Sequence, residues 1–150
     1  MDWLTREYVQ QQAGKNLHAA LDVTIEHWTQ LYEATQTELL TMQESMISSR
    51  FCGLCTFFRT EETDFTCDAC LLNKIGHVCG DPNSLWFQAY HALTDLVLRD
   101  GTLESFRKKA KKLLKVLKSL KKRKNKSLWY NYTRAEHFCI LCGYENRCSK

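Results

Sequence analysis

Residues 102–120 read TLESFRKKAKKLLKVLKSL, and this stretch carries the clearest signal for the fold. Its apolar residues recur at steps of three and four, the spacing that places side chains on one face of an α-helix. The members of this apolar seam are Leu103, Phe106, Ala110, Leu113, Leu117 and Leu120. Thr102 has the chemistry of an N-cap, and Asn125 suits a helix end. The sequence therefore predicts an amphipathic helix whose lysines occupy the faces that the seam leaves free.

Helical spacing continues on the N-terminal side of this stretch. Apolar residues at helical steps predict one long helix, or two abutting helices, over about 16–47. Ser84 follows Pro82 as an N-cap, which predicts a further helix that stops before Gly101. Alternation at 129–133 suits a short strand. We therefore expect a mainly α protein, a helical body around one or two cysteine-rich zinc knuckles. A short β-hairpin is allowed at the knuckles and at the C-terminus.

The chain divides into four segments by composition and pattern. Residues 1–50 are predicted as a helical scaffold and residues 51–82 as a cysteine-rich zinc-binding module. Residues 83–126 hold helices that include the basic amphipathic segment, and residues 127–150 are an aromatic, cysteine-containing tail expected to pack on the body. A segment as short and irregular as the second one buries too little apolar surface by itself, so a cross-link is expected there.

The overall composition is that of a globular chain, with 44% hydrophobic and 25% charged residues. No segment approaches the roughly 20 consecutive apolar residues that a membrane span needs. The N-terminus lacks the basic and apolar regions of a secretory signal. We therefore expect a cytoplasmic protein with no membrane partner, in a reducing compartment where clustered cysteines more often bind metal than form disulfides.

Charge is distributed very unevenly along the chain. Twelve of the 21 basic residues lie between Arg107 and Lys126, where there is no acidic residue. The rest of the chain holds nine basic and seventeen acidic residues, a net charge of −8. The formal net charge of +4 thus conceals an acidic body with one intensely basic segment. That segment is the electrostatic feature best suited to meeting a partner.

Five cysteines follow the first predicted helices at spacings that are typical of metal sites. Cys52 and Cys55 form one C-x2-C pair, Cys67 and Cys70 form a second, and Cys79 follows. Two intervening residues let one tight turn present both thiolates to a single cation, while backbone N–H groups point at the sulfurs. Two such pairs supply the four ligands of tetrahedral zinc, so we expect a structural zinc site. An iron–sulfur cluster would use the same ligands and is the alternative.

A second cysteine group repeats the first. The Phe-Cys-x-Leu-Cys pattern of 51–55 recurs at 138–142, and Cys148 follows. Eight cysteines could bind two ions. The simplest division gives one ion Cys52, Cys55, Cys67 and Cys70, and gives the other ion Cys79, Cys139, Cys142 and Cys148. Alternatively the two knuckles share one ion, which leaves Cys67, Cys70, Cys79 and Cys148. His77 or His137 could replace a cysteine, although a plain loop position suits either histidine better.

Sequence patterns of catalysis are missing. The chain has no H-E-x-x-H motif, no zinc-deaminase signature, no glycine-rich phosphate loop and no G-x-S-x-G. The cysteine groups are rich in thiolates and look closed, whereas a catalytic zinc keeps an open coordination position. We therefore predict no catalytic residue and expect a protein that is not an enzyme.

The basic segment suits a partner that carries negative charge. The predicted partner-binding or phosphate-binding residues are Lys108, Lys109, Lys111, Lys112, Lys115, Lys118, Lys121, Lys122, Arg123, Lys124, Trp129 and Tyr130. Lysine predominates, which argues against base-specific reading, whereas the two aromatic residues could stack on bases. Alternatively the lysines only solubilise the outer face of the helix. The apolar seam could also help to dock an acidic protein, or the acidic body of a second copy in a homodimer.

The order of motifs from Leu17 to about Leu120 resembles that of small bacteriophage-encoded proteins of unassigned function. It runs from a helix bearing Trp28 through Cys52-Gly-Leu-Cys55, Cys67-Asp-Ala-Cys70 and Gly76-His-Val-Cys79 to a helix bearing Trp86. Leu71 replaces the proline that those proteins usually have, and they generally lack the C-terminal cysteines. The resemblance implies a phage origin, a metal-stabilised centre and residence in the host cytoplasm. It implies no activity.

Together these patterns predict a non-catalytic, zinc-stabilised phage protein that binds a host macromolecule through its basic helix. In this interpretation the protein is a modulator or inhibitor of a host protein. The alternative is sequence-nonspecific nucleic-acid binding through the lysine-rich helix and Trp/Tyr stacking. Phosphate binding would weaken steeply with salt, which separates the two hypotheses.

Overall fold

The structure is a computed structural model, and it describes residues 1–42, 48–58 and 69–122. These residues are mostly helical and contain no strand, so the expected mainly α fold is confirmed. The helices are α1 Arg6–Ala13, α2 Leu17–Glu33, α3 Gln36–Thr41, α4 Gly53–Phe58, α5 Leu71–Lys74, α6 Leu85–Leu98 and α7 Leu103–Lys122, with a 3₁₀ turn at Ser49–Phe51. At the first knuckle the structure has α4 where the sequence allowed a hairpin. The strand suggested at 129–133 lies outside the described residues.

Two of the predicted helices begin at the residues that the sequence indicated. The Ser84 hydroxyl accepts a hydrogen bond from the Phe87 N–H at 3.0 Å and caps α6. The Thr102 hydroxyl accepts from the Ser105 N–H at 3.2 Å and caps α7. Each cap satisfies one of the N–H groups that have no partner within the first turn of a helix.

The segment predicted as one helix or two is divided into α2 and α3. The Thr35 hydroxyl accepts from the Glu38 N–H at 3.3 Å, and the Glu38 carboxylate accepts from the Thr35 N–H at 2.8 Å. This reciprocal pair is a capping box, which starts a new helix at Gln36. The apolar spacing runs on through the break, because both helices bury residues in the same core. Residues 43–47 lie outside the described part.

The apolar seam of α7 is the centre of the hydrophobic core. Phe106, Leu113 and Leu117 are fully buried, and α7 packs on both α2 and α6. Trp28 of α2 meets Trp86 of α6 edge to face, with ring centroids 6.3 Å apart. The seam is therefore packed within the protein.

The first knuckle packs closely on α2. The buried Thr24 hydroxyl donates to the Ala20 carbonyl at 2.8 Å and accepts from the Leu54 N–H at 3.1 Å, which joins α2 to the first turn of α4. His27 of α2 is 5% exposed and stacks on Phe51 with ring centroids 5.7 Å apart. The 3₁₀ turn therefore covers this side of α2.

Among the described residues, no helix combines the length and the apolar character needed to cross a membrane.

Candidate binding groove and cysteine cluster

A groove of about 580 Å³ runs between α2 and α7. Leu114 and Tyr32 contribute apolar surface to it, and Thr29 and Glu33 complete the α2 side. The α7 side is formed by five lysines, Lys108, Lys111, Lys112, Lys115 and Lys118. The last four of these lysines follow Lys108 by three, four, seven and ten positions. The helical repeat therefore brings all five to one side of α7. We call this feature the α2–α7 groove.

The five groove lysines carry uncompensated positive charge. All five are exposed, and none has a carboxylate within 4.0 Å in the part of the chain that the structure describes. Glu33, also exposed, is the acidic residue that lines the groove from α2. One carboxylate against five ammonium groups leaves a strongly positive rim above an apolar floor. The groove can therefore receive a ligand that is both anionic and partly apolar.

Two cationic side chains of the basic segment contact α2 and do not line the groove. The Arg107 guanidinium donates to the Tyr32 carbonyl at 3.1 Å and to the Ala34 carbonyl at 3.0 Å, both at the end of α2. Lys121 forms an ion pair with Asp22 of α2 at 2.7 Å. Both contacts attach α7 to α2, one near each end of the groove.

The remaining predicted partner residues fall into two groups. Lys109 is half-buried and Lys122 is exposed, and neither lines the α2–α7 groove. The other predicted residues, Arg123, Lys124, Trp129 and Tyr130, lie outside the described part of the chain. The structure therefore brings together five of the twelve predicted partner residues.

Sequence reasoning missed the role of Arg107 and the α2 wall of the groove. The signal for Arg107 was available, since it is the one arginine among the basic residues of α7 and it directly follows the buried Phe106. Arginine is preferred where a planar, multi-donor group must hold two acceptors at once. The α2 wall had no comparable signal, because Thr29 and Tyr32 look like ordinary positions on the edge of a helical stripe.

The four described cysteines are thiols that are not joined in disulfides. The Cys55 N–H donates to the Cys52 sulfur, the contact expected of a metal-binding turn. The Cys52 thiol donates a hydrogen bond to Cys55, and the Cys55 thiol donates to Cys79. Cys70 lies close enough to Cys55 for their charges to interact. The described thiols are those of Cys52, Cys55, Cys70 and Cys79.

The surroundings of Cys52 and Cys55 disfavour the thiolate form of these two side chains. The pKa of Cys52 is raised above its ordinary value by the hydrogen bond to Cys55 and by burial. The hydrogen bond from Cys52 lowers the pKa of Cys55. That effect is outweighed by the hydrogen bond to Cys79, by burial, and by the charges of Cys79 and Cys70, so the pKa of Cys55 is raised overall. A bound cation would reverse this balance, because positive charge favours thiolates.

No formed metal site is present among residues 1–42, 48–58 and 69–122, where no group of three or more His, Cys, Asp or Glu side chains is arranged to hold an ion. The thiols of Cys52, Cys55 and Cys79 are instead linked by hydrogen bonds. His77 accepts at Nδ1 from the Leu85 N–H at 3.4 Å, so this nitrogen faces the start of α6. The other predicted ligands, Cys67, Cys139, Cys142, Cys148 and His137, lie outside the described residues.

Comparisons of the chain with protein-family models, with curated proteins and with solved structures found no match.

Proposed function

We propose that the protein is a non-catalytic binding module whose α2–α7 groove receives an acidic, amphipathic segment of another protein. One observation carries this proposal: five exposed lysines, unpaired within the described residues, surround a groove whose floor is apolar. Acidic side chains of the partner would meet the lysines. Its apolar side chains would rest on Leu114 and on the Tyr32 ring, as when an amphipathic helix lies in a hydrophobic groove.

The residues that line the groove favour a protein segment over a nucleic-acid backbone as the ligand. A phosphate backbone is polar throughout and gains little from Leu114 and Tyr32, whereas a peptide can bury apolar side chains there. Glu33 on the α2 wall also repels a uniformly anionic ligand. A peptide can place its few carboxylates on the α7 side alone. The stacking residues that would favour nucleic acid, Trp129 and Tyr130, lie outside the described part.

The proposed setting is the host cytoplasm, and the proposed partner is a host protein whose activity the module modulates or inhibits. The resemblance to small phage proteins supports this choice. The proposal includes a structural zinc held by cysteines of the 51–82 segment. The spacing of those cysteines supports it, and the four described ones are not joined in disulfides, as expected of metal ligands in a reducing compartment.

The proposal is tested with defined probes in fluorescence anisotropy titrations. The first probe is a labelled helical peptide with leucines on one face and glutamates on the other. The second has serines in place of the leucines, and the third is a DNA oligonucleotide of equal net charge. We expect the leucine peptide to bind most tightly and the serine peptide at least about tenfold more weakly, since the apolar floor contributes about 1.4 kcal/mol or more. Tighter binding of DNA, with a steep salt dependence, would instead support the nucleic-acid alternative.

Paired charge-reversal variants locate the binding site. Lys111→Glu with Lys115→Glu reverses two groove lysines, and we expect it to weaken peptide binding by at least about tenfold. Lys15→Glu with Arg50→Glu makes the same change in net charge at two exposed positions that lie outside α7 and do not line the groove. This control is expected to change binding by less than about threefold, since exposed charges outside the site are screened by salt. Equal effects of the two pairs would refute a groove-specific site.

A further inference from the structure

The two ends of the α2–α7 groove are identified by two contacts between its walls. The Arg107 guanidinium donates to the Ala34 carbonyl at 3.0 Å, so the start of α7 lies beside the end of α2. Lys121 pairs with Asp22 at 2.7 Å, so the end of α7 lies beside the N-terminal half of α2. The two helices are therefore antiparallel, and Glu33 lines the groove at the end where α7 begins.

That end of the groove carries negative charge. Glu104 lies in the first turn of α7, one turn before Lys108 and on the same side of the helix. Glu33 and Glu104 are both exposed, and neither has a cationic group within 4.0 Å among the residues that the structure describes. Arg107 directs its donors at carbonyls of α2, and the negative end of the α2 dipole offsets its charge. We call Glu33 and Glu104 the acidic end of the groove.

The remainder of the groove carries positive charge, supplied by the groove lysines at 111–118. The other two carboxylates of α2 are engaged elsewhere. Asp22 pairs with Lys121, and Glu26, which does not line the groove, accepts a hydrogen bond from the Tyr8 hydroxyl at 3.5 Å. The sign of the charge therefore changes along the groove, over roughly 20 Å of α7.

We propose that the acidic segment received by the groove has one cationic end, which lies at the acidic end of the groove while the carboxylates of the segment lie along the lysines. This inference rests on the proposed function and specifies the charge pattern and the orientation of the bound segment. A uniformly acidic segment would place a carboxylate beside Glu33, where like charges repel. A lysine or arginine there replaces the repulsion with an ion pair, so the cationic end determines which way the segment lies.

Three helical peptides of identical composition test the charge pattern. Each has leucines on one face and glutamates on the other, with two lysines that replace glutamates in the first, the middle or the last turn. A side-chain cross-link makes the three peptides equally helical. In anisotropy titrations in about 0.1 M salt, we expect the two peptides with terminal lysines to bind at least about threefold more tightly than the peptide with central lysines, which would face the groove lysines. Equal binding of the three peptides would overturn the charge pattern.

A variant of the acidic end should act with opposite sign on two probes. Glu33→Gln with Glu104→Gln is expected to weaken binding of the peptides with terminal lysines by at least about threefold, and to tighten binding of the leucine–glutamate peptide that has no lysine. Asp2→Asn with Glu7→Gln makes the same change in net charge at exposed positions that do not line the groove, and it should change neither affinity by more than about 1.5-fold. Effects of the same sign on both kinds of peptide would contradict the inference.

The orientation of the bound segment is measured with a nitroxide spin label at the lysine end of each terminal-lysine peptide. The label broadens backbone amide signals near it in the ¹⁵N-labelled chain. We expect broadening around Glu33 and Glu104 with both peptides, although their chain directions are then opposite. Broadening around Lys118 with either peptide overturns the inference and leaves the groove as the binding site. Failure of every peptide to bind at the groove overturns the inference and the proposed function together.

Discussion

At the scale of single residues, Gly53 explains how the first knuckle fits against the body. A Cβ atom at this position would lie 2.3 Å from the Ala20 carbonyl oxygen and 2.3 Å from Cγ1 of Val23. The glycine in Cys52-Gly-Leu-Cys55 therefore serves the approach of α4 to α2 as well as the turn between the cysteines. Close approach in turn lets the Leu54 N–H reach Thr24.

Gly53→Ala is expected to destabilise the protein by about 2 kcal/mol or more, because the carbonyl of Ala20 is backbone and cannot rotate away. Chemical denaturation followed by circular dichroism measures the change. Gly80→Ala is the control, since a Cβ at Gly80 meets no atom within 4 Å among the described residues. It should change the free energy of unfolding by less than about 0.5 kcal/mol. Equal stability of the two variants would contradict the close packing of α4 on α2.

At the scale of elements, α7 is held by its buried seam and by Arg107. The guanidinium satisfies two carbonyls where α2 ends, and positive charge there also complements the helix dipole. This contact fixes α7 relative to α2 and so defines the width of the groove. The one arginine of α7 thus has a structural role, while the five groove lysines have no carboxylate within 4.0 Å among the residues that the structure describes.

Arg107→Gln is expected to lower the free energy of unfolding by about 2 kcal/mol, because two charge-assisted hydrogen bonds are lost. Lys108→Gln, which removes an exposed neighbouring charge, should change it by less than about 0.5 kcal/mol. Thermal and chemical denaturation measure both variants. A larger effect of Lys108→Gln would show that net charge, and not the contact with α2, determines stability.

The capping box of α3 makes a pH-dependent contribution to stability. The Thr35 N–H, the amino group of Met1 and the Thr35 hydroxyl lower the pKa of Glu38 from 4.5 to about 2. A lowered pKa in the folded state means that the carboxylate stabilises the fold above pH 4.5, and that this stabilisation is lost as the pH falls to about 2. We expect Glu38→Gln to lower the melting temperature at pH 7 and the difference from the parent chain to fade over that interval. A difference that is independent of pH would contradict the assignment.

The sequence predicted the regular elements well where caps and periodicity agreed. Ser84 and Thr102 marked the starts of α6 and α7 because N-caps are local signals. The break at Thr35 carried a local signal too, the Thr35-x-x-Glu38 box, but a continuous apolar stripe masked it. The knuckle helix α4 could not be predicted, since six residues contain too few turns for periodicity to appear.

Long-range contacts account for the rest of what sequence could not supply. The spacing of the cysteines predicted a metal site without deciding which thiols meet. The contact between Cys55 and Cys79 depends on how α5 and the turn that follows it are placed on the core. The basic segment was visible as a charge run, but only packing distinguishes Arg107, which caps α2, from Lys111, which lines the groove.

At the scale of the whole molecule, the proposed zinc joins the irregular cysteine segment to the helical body. Removal of the ion by a chelator under reducing conditions should lower the melting temperature by more than about 10 °C, because metal-binding free energy is also folding free energy. Calorimetry with and without chelator measures this change, and added zinc should restore the original midpoint. An unchanged midpoint after verified zinc removal would rule out a structural role.

The proposed binding of an acidic, amphipathic segment in the α2–α7 groove is tested most directly by nuclear magnetic resonance with a labelled protein. The leucine–glutamate helical peptide is titrated into the ¹⁵N-labelled chain, and backbone amide shifts are followed residue by residue. We predict that the largest shifts fall on both groove walls, at Thr29 and Tyr32 of α2 and at Lys111–Lys118 of α7. Shifts concentrated elsewhere, with both walls unchanged at saturating peptide, would contradict the proposed binding site.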